Sequence, residues 1–196
     1  MVGFNTDLAN QIELLSQIIK QNKVLYDVIE KACNIGLQNY YIGAGCITQT
    51  IWNYQSGFEL INGISDIDFV YYDNKDLSFE AENSIINQVK NVLESCEIEL
   101  DIKNQARVHL WYKDRFDYDI APYNSVESAI NSWPTTATSV GVRLENDTFK
   151  VYAPFGLNDL FGMIVKANKA QITEEIYMQK VKKWSKNWSA LTIIPW

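Results

Sequence analysis

The chain has few of the residues from which disulfide frameworks and zinc sites are built, and it has no long uninterrupted apolar run. It contains 3 cysteines and 1 histidine in 196 residues, and Cys33, Cys46 and Cys96 form no C-x-x-C pair. This spacing indicates neither a disulfide framework nor a zinc site, and it fits a reducing cytoplasm. Polar residues break every apolar stretch well before the roughly 18 residues that a membrane span needs, and no basic segment precedes an apolar run at the N-terminus. We therefore expect a soluble, unprocessed, cytoplasmic protein with no membrane partner.

Positive charge is also scarce. The 17 Lys and Arg residues stand against 24 Asp and Glu residues, which gives a formal net charge of -7 at pH 7. Sequence-independent binding to DNA or RNA depends on clustered Lys and Arg, so we do not expect nucleic acid as a partner. The 47% hydrophobic content suits one compact domain. We expect a single domain over 1–196, with a core at about 22–120 and a C-terminal extension at about 121–196.

Apolar periodicity predicts helices that alternate with short strands, and it gives no internal repeat. Strands are predicted at 39–42, 65–71 and 97–103, with a hairpin formed by 139–144 and 149–152. Helices are predicted at 6–21, 23–34, 46–54, 78–93, 125–133, 157–166 and 173–188.

Two aspartates stand one residue apart inside the apolar stretch 65–71. Because successive side chains of a strand point to opposite faces, Asp66 and Asp68 share one face while Ile67 and Phe69 take the other. Aspartate is depleted in strands, and two neighbouring anions raise each other's pKa unless a cation lies between them. The pair therefore predicts a divalent metal site; the alternative is a capped turn at the start of a strand.

A second acidic strand follows, in which carboxylates alternate with aliphatic side chains over 97–102. If it lies beside the first strand, it directs Asp101 or Glu99 at the aspartate pair, although a solvated strand face explains the same pattern. Three convergent acids suit nucleotidyl transfer. Divalent cations held by such acids bind the phosphates, activate the attacking hydroxyl and stabilise the leaving oxygen.

A short turn, Gly43-Ala44-Gly45-Cys46, joins a predicted strand to a predicted helix. Its two glycines let the backbone approach a ligand closely, and amides at the start of the helix can bind phosphate oxygens. Relief of crowding between strand and helix explains the same glycines without a ligand. The turn is a candidate nucleotide-binding element whose role depends on the acids.

The order of these parts resembles the nucleotidyltransferase superfamily typified by DNA polymerase beta: a glycine turn, a helix, an Asp-x-Asp strand and a later strand with one more acid. Further motifs are AGCI at 44–47, IW at 51–52, DIDFVYYD at 66–73, KNQARVH at 103–109, WPTTAT at 133–138, GVR at 141–143 and APFGL at 153–157. With these motifs, roughly residues 20–190 resemble a bacterial family of uncharacterised nucleotidyltransferase-like proteins within that superfamily.

The resemblance implies an α/β (α+β) fold of the polymerase-beta type, with a small mixed sheet flanked by helices and a helical and hairpin C-terminal part. It implies that Mg²⁺ or Mn²⁺ is the cofactor. The implied catalytic and metal-binding residues are Asp66, Asp68 and Asp101. The expected nucleotide-binding residues are Gly43, Ala44, Gly45, Cys46 and Arg107.

Two departures from the family pattern affect phosphate binding. The turn has Gly-Ala-Gly-Cys where many superfamily members have Gly-Gly-Ser or Gly-Ser, and Thr48 stands where the narrower family has a basic residue. Cysteine is a weaker hydrogen-bond donor than serine, and threonine carries no charge. Triphosphate affinity is therefore expected either to be lower or to rest on Arg107, Arg143 or Lys103.

Together these features predict a metal-dependent nucleotidyltransferase that moves a nucleoside monophosphate from a nucleoside triphosphate to an unidentified small-molecule or protein acceptor. Because the phosphate turn is weak, a non-catalytic nucleotide or metal sensor of the same fold is an alternative. A nucleotide-sugar glycosyltransferase that uses Asp-x-Asp is another, although those domains are usually longer. The C-terminal tryptophans beside Lys180, Lys182, Lys183 and Lys186 favour core packing with a lysine-rich outer face over nucleic-acid stacking.

Overall fold

A computed structural model describes residues 1–196 as eight α-helices and seven β-strands. The helices are α1 (Leu8–Gln21), α2 (Lys23–Ala32), α3 (Gly45–Ser56), α4 (Phe79–Val92), α5 (Val108–Phe116), α6 (Val126–Ile130), α7 (Asn158–Phe161) and α8 (Glu174–Ser185). The strands are β1 (Tyr40–Gly43), β2 (Asp66–Tyr71), β3 (Glu99–Asn104), β4 (Gly141–Glu145), β5 (Thr148–Tyr152), β6 (Ile164–Val165) and β7 (Thr192–Ile193).

The main sheet is mixed and has five strands in the order β3-β2-β1-β4-β5. β1 runs antiparallel to both β2 and β4, whereas β2 and β3 run parallel. A parallel pair needs a crossover connection, and α4 supplies it. This arrangement confirms the predicted small mixed sheet flanked by helices.

The side chains of β2 alternate between the two faces of the sheet. Ile67 and Phe69 are fully buried in the main hydrophobic core, which is formed with residues of α1, α2, α3 and α8. Burying such a side chain contributes about 1.5–3 kcal/mol. Asp66 and Asp68 lie on the opposite face, where Val70 packs against α6. The predicted alternation of β2 is confirmed, and it leaves both carboxylates outside the core.

Three tryptophans hold α8 and the segment that follows it against α3. The buried Trp52 ring lies edge-on to Trp184 and Trp188, with centroid distances of 5.6 and 5.5 Å. Edge-to-face pairs add about 0.5–1.5 kcal/mol beyond the burial of their area. Trp188 Nε1 also donates to Asn53 Oδ1 at 2.8 Å. The core packing predicted for Trp184 and Trp188 is confirmed.

The predicted helix 157–166 is wrong over its second half. α7 ends at Phe161, and Met163 has a φ of 52°, a left-handed conformation that ends a helix. The chain then enters β6, which pairs in parallel with β7. Helix α5 was not among the predicted helices, because it buries only Val108 and Tyr112 and so lacks a continuous apolar stripe.

The hairpin β4–β5 belongs to the predicted C-terminal extension, yet it joins the same sheet as β1 of the predicted core. Ile42 is paired with Val142, and Gly43 with Gly141. The single domain over 1–196 stays a prediction. None of the helices is both long and apolar enough to cross a membrane.

Candidate active site

Strand pairing brings the three predicted metal ligands together. Asp68 of β2 stands opposite Asp101 of β3, and Asp66 lies two residues before Asp68 on the same face. One carboxylate oxygen from each of the three lies within 4.8 Å of the other two. Glu99, the alternative third acid, stands opposite Asp66 but is exposed and lies outside this group. The geometry favours Asp101.

The three carboxylates repel one another, and Asp68 shows the effect. Burial raises the pKa of Asp68 to about 7, and the negative charges of Asp66 and Asp101 add to the rise. Lys103, which forms an ion pair with Asp101, opposes it, as does Lys180. Three carboxylate oxygens are hard donors of the kind that Mg²⁺ and Mn²⁺ prefer, and a divalent cation between them would remove the repulsion. The residues present therefore fit a divalent metal.

The glycine turn lies directly beside the acids, because Gly43 is paired with Asp68. A Cβ at Gly43 would lie 2.5 Å from the Val140 carbonyl oxygen and 2.9 Å from the Trp133 ring, so this glycine is required by close packing. The unusual backbone conformation falls on Ala44, which has φ 56° and ψ -127°. Glycine adopts this region freely, whereas other residues are strained in it by about 1–3 kcal/mol.

Two side chains of the turn region point into the protein. Cys46 is buried and its thiol donates to the Gly43 carbonyl oxygen at 3.1 Å. Burial raises the pKa of this thiol, and the charge of Asp68 raises it further. Thr48 donates its hydroxyl to the carbonyl oxygens of Ala137 and Ala44 at 2.9 and 3.1 Å. Neither side chain is directed to a ligand, so phosphate binding by this turn would use backbone amides.

A cleft of about 580 Å³ opens over the acids and the turn. Its charged lining consists of three acids and four cations, namely Asp66, Asp68, Asp101, Lys103, Arg115, Lys180 and Lys183. Its aromatic lining consists of Trp111, Tyr112, Phe116, Tyr123, Trp133 and Trp184. The cleft thus combines an acidic floor with cationic and aromatic walls.

Lys180 is the residue of this site that the sequence analysis missed, since it was assigned to a solvated lysine-rich face. Its side chain is half-buried, and burial lowers the pKa of its ammonium while the charges of Asp68 and Asp66 raise it. It forms no ion pair within 4.0 Å, and its Nζ lies 5.7 Å from the centroid of the Trp184 ring. No local sequence signal distinguishes it from the neighbouring lysines, because its place depends on how α8 crosses the cleft.

Two predicted phosphate-binding arginines lie elsewhere. Arg107 forms an ion pair with Glu82 of α4, donates to the Leu77 carbonyl oxygen at 2.9 Å, and does not line the cleft. Arg143 is buried, pairs with Glu145 and lies over the Tyr41 ring at 4.5 Å. These contacts favour structural roles, and the nucleotide-binding role of Arg107 stays a prediction. Lys103 is the one of the three expected cations that faces the cleft.

Comparison with known proteins identifies the fold and the family. The chain shares its fold with a protein whose NMR structure is described as revealing a CCA-adding enzyme head domain, with a TM-score of 0.75 and 22% identity over 93% of this chain and 95% of that one. No curated protein matches the chain. Residues 30–193 match a family model described as Nucleotidyltransferase. The fold is thus that of a nucleotidyltransferase head domain, and the chain belongs to this nucleotidyltransferase family, as predicted.

The raised pKa of Asp68 gives a prediction about stability. The folded-state pKa of about 7 exceeds the ordinary value of 3.8, so the stabilising contribution is fully present below about pH 4 and is lost as the pH rises through about 7. Three pKa units correspond to about 4 kcal/mol, and we expect about 2 kcal/mol because part of the side chain is accessible to water.

Urea denaturation in a metal chelator, from about pH 4 to about pH 8, measures this loss in the native sequence. Asp68→Asn should remove most of it and be the more stable protein at neutral pH. Glu99→Gln, on the same sheet face but outside the group of three acids, should lose stability with rising pH as the native sequence does. Identical pH profiles for Asp68→Asn and the native sequence would contradict the assigned repulsion.

The strained backbone of Ala44 gives a second prediction. Ala44→Gly should raise the free energy of unfolding by about 1 kcal/mol, because glycine relieves the strain at positive φ. Ala129→Gly in the helical backbone of α6 is the control and should lose about 1 kcal/mol or more. An equal decrease in the free energy of unfolding in both variants, measured by urea denaturation, would show that Ala44 is unstrained.

Proposed function

We propose that the protein binds a nucleoside triphosphate with Mg²⁺ or Mn²⁺ in this cleft and transfers the nucleoside monophosphate to a hydroxyl or similar group of an acceptor. The observation that carries the proposal is the convergence of Asp66, Asp68 and Asp101 beside the start of α3. In the reaction the acceptor oxygen forms a bond to the α-phosphorus, the bond from this phosphorus to the bridging oxygen breaks, and pyrophosphate leaves.

In this proposal Asp66, Asp68 and Asp101 hold the metal. The bound metal supplies charge that polarises the phosphates, activates the acceptor hydroxyl and stabilises the leaving oxygen. In this proposal a carboxylate oxygen of Asp101 takes the proton of the acceptor hydroxyl.

The triphosphate lies between the turn and α8. The first amides of α3 have no partner within the helix and carry its partial positive charge, so they can donate to phosphate oxygens. Lys180 and Lys183 of α8, with Arg115 of α5, line the same cleft and offer positive charge to the leaving pyrophosphate. The aromatic walls offer flat surfaces on which a nucleobase stacks.

The distribution of charge supports a small-molecule or protein acceptor over a nucleic acid. Four of the 17 basic residues line the cleft beside only three of the 24 acidic ones. The rest of the chain is therefore more acidic than the whole, whose net charge is -7. A polynucleotide that extended beyond the cleft would meet repulsion in place of the Lys and Arg contacts on which its binding depends.

One observation favours a non-catalytic sensor as the second candidate. The side chains of Cys46 and Thr48 donate their hydrogen bonds to backbone carbonyl oxygens inside the protein. The turn therefore offers a triphosphate its backbone N–H groups and little else. A sensor of this fold would bind a nucleoside triphosphate saturably and release no pyrophosphate. Binding and release measured on one preparation separate the two candidates.

Pyrophosphate release tests the proposed transfer. The protein is incubated with each ribonucleoside triphosphate, Mg²⁺ or Mn²⁺, and a pool of small metabolites and proteins from a lysate. Asp66→Asn, Asp68→Asn and Asp101→Asn should each lower release by about 100-fold or more, because each removes a metal ligand at the reacting phosphate. Glu99→Gln is the matched control and should keep native activity. Release that persists in all three Asn variants would overturn the site.

Lys180→Met gives a further test of the cleft. Removal of a cation that binds phosphate should weaken nucleoside triphosphate affinity by about 10-fold or more, since hydrogen bonds to charged groups contribute about 1.5–3 kcal/mol. The methionine keeps the apolar contacts of the lysine stem, so folding should be retained. Lys182→Met, exposed on the same helix and outside the cleft, is the control. Equal Kd values in both variants, by calorimetric titration, would remove Lys180 from the site.

A further inference from the structure

Gln49 is a buried residue of the cleft lining whose side-chain amide makes no hydrogen bond to the protein. The residue is 8% exposed, its Oε1 is shut off from solvent without a hydrogen-bond partner, and its Nε2 donates to no group of the protein. Other buried amides are paired: Gln11 donates to the Gly3 carbonyl oxygen at 2.9 Å, and Asn53 donates to that of Asn62 at 2.8 Å. The buried unpaired atom is the acceptor Oε1, whereas Nε2 is not shut off from solvent and is the end of the amide that can donate to a ligand in the cleft.

The position of Gln49 directs its amide to the phosphate turn. It lies on α3 one turn after Gly45, and helical side chains point back toward the N-terminus of their helix. Its Nε2 lies 2.9 Å from the place that a Cβ on Gly45 would occupy. Gly45 therefore leaves the space that the Gln49 amide fills. This amide lies in the cleft, over the end of α3 where the backbone N–H groups are free.

The neighbouring polar side chains of the turn are already hydrogen-bonded within the protein. The thiol of Cys46 donates to Gly43, and the hydroxyl of Thr48 donates to Ala137 and Ala44. An uncharged amide with a free N–H is thus the side-chain donor that remains at the turn. A phosphate oxygen is a strong acceptor, and a hydrogen bond to an ionised acceptor is about twice as strong as one between neutral groups.

We propose that Gln49 is a phosphate-binding residue that donates Nε2–H to an oxygen of the triphosphate bound over the first turn of α3. This inference rests on the proposed function and extends it, since it assigns the role of the missing turn hydroxyl to a residue one helical turn further along. It also gives Gly45 a specific role: a side chain there would displace the amide.

The test uses inorganic tripolyphosphate and ATP, each with Mg²⁺, as probes in calorimetric titrations of the full chain. Gln49→Leu should weaken the Kd for both probes by about 10-fold or more, because tripolyphosphate retains the proposed contact and lacks the base and ribose. Gln49→Glu should weaken binding further, because it places a negative charge against the phosphates. The Tm of Gln49→Leu should be unchanged or higher, since the substitution removes an unpaired buried polar group.

Gln11→Leu is the matched control, because it removes a buried glutamine amide that is paired and lies outside the cleft. It should lower the Tm and leave both Kd values unchanged. If the native protein binds the probes and Gln49→Leu binds them equally tightly, or if its affinity falls only together with its Tm, the role of Gln49 is overturned. If the native protein binds neither probe, the proposed function itself fails, and the inference fails with it.

Discussion

The register of β2 in the sheet is the constraint on which the site depends. Asp68 stands opposite Asp101 on one side and Gly43 on the other, so the acids and the glycine turn form one row across three strands. A slip of one residue would turn both β2 aspartates into the core and bring Ile67 and Phe69 into the cleft. The burial of Ile67 and Phe69 in the core therefore also orients both carboxylates toward the cleft.

The site concentrates features that destabilise the fold locally. Asp68 has a raised pKa because its charged form is poorly solvated and lies beside two other carboxylates, and Ala44, the residue after Gly43, holds a strained backbone. Gln49, one turn into α3, adds a buried side-chain oxygen without a hydrogen-bond partner. Such features persist only where the surrounding structure holds them in place. Here the support comes from α3, whose Trp52 is fully buried against two further tryptophans.

Features that depend on near neighbours in the chain could be predicted from the sequence. The alternation of β2, the helix after the turn, and the hairpin at 141–152 follow from periodicity and turn residues alone. The choice between Asp101 and Glu99 needed the register of two strands that no local pattern specifies. Lys180 and the Asn53–Trp188 hydrogen bond, whose partners are 135 residues apart, depend on how α8 packs. Arg107 was predicted to bind the nucleotide because it lies within a recognised motif, yet its side chain pairs with Glu82 of α4 and lies outside the cleft.

The separation of charge in the cleft limits what can fill it. The acids of β2 and β3 form the floor, while Lys180 belongs to a helix whose position is set by tryptophan packing and not by an ion pair with them. A divalent cation alone would satisfy the carboxylates and repel the lysines of α8. An anion alone would satisfy the lysines and be repelled by the floor. A polyphosphate that carries its own divalent cation satisfies both surfaces at once, and a nucleoside triphosphate is the ligand of that class whose remaining part also suits the aromatic walls.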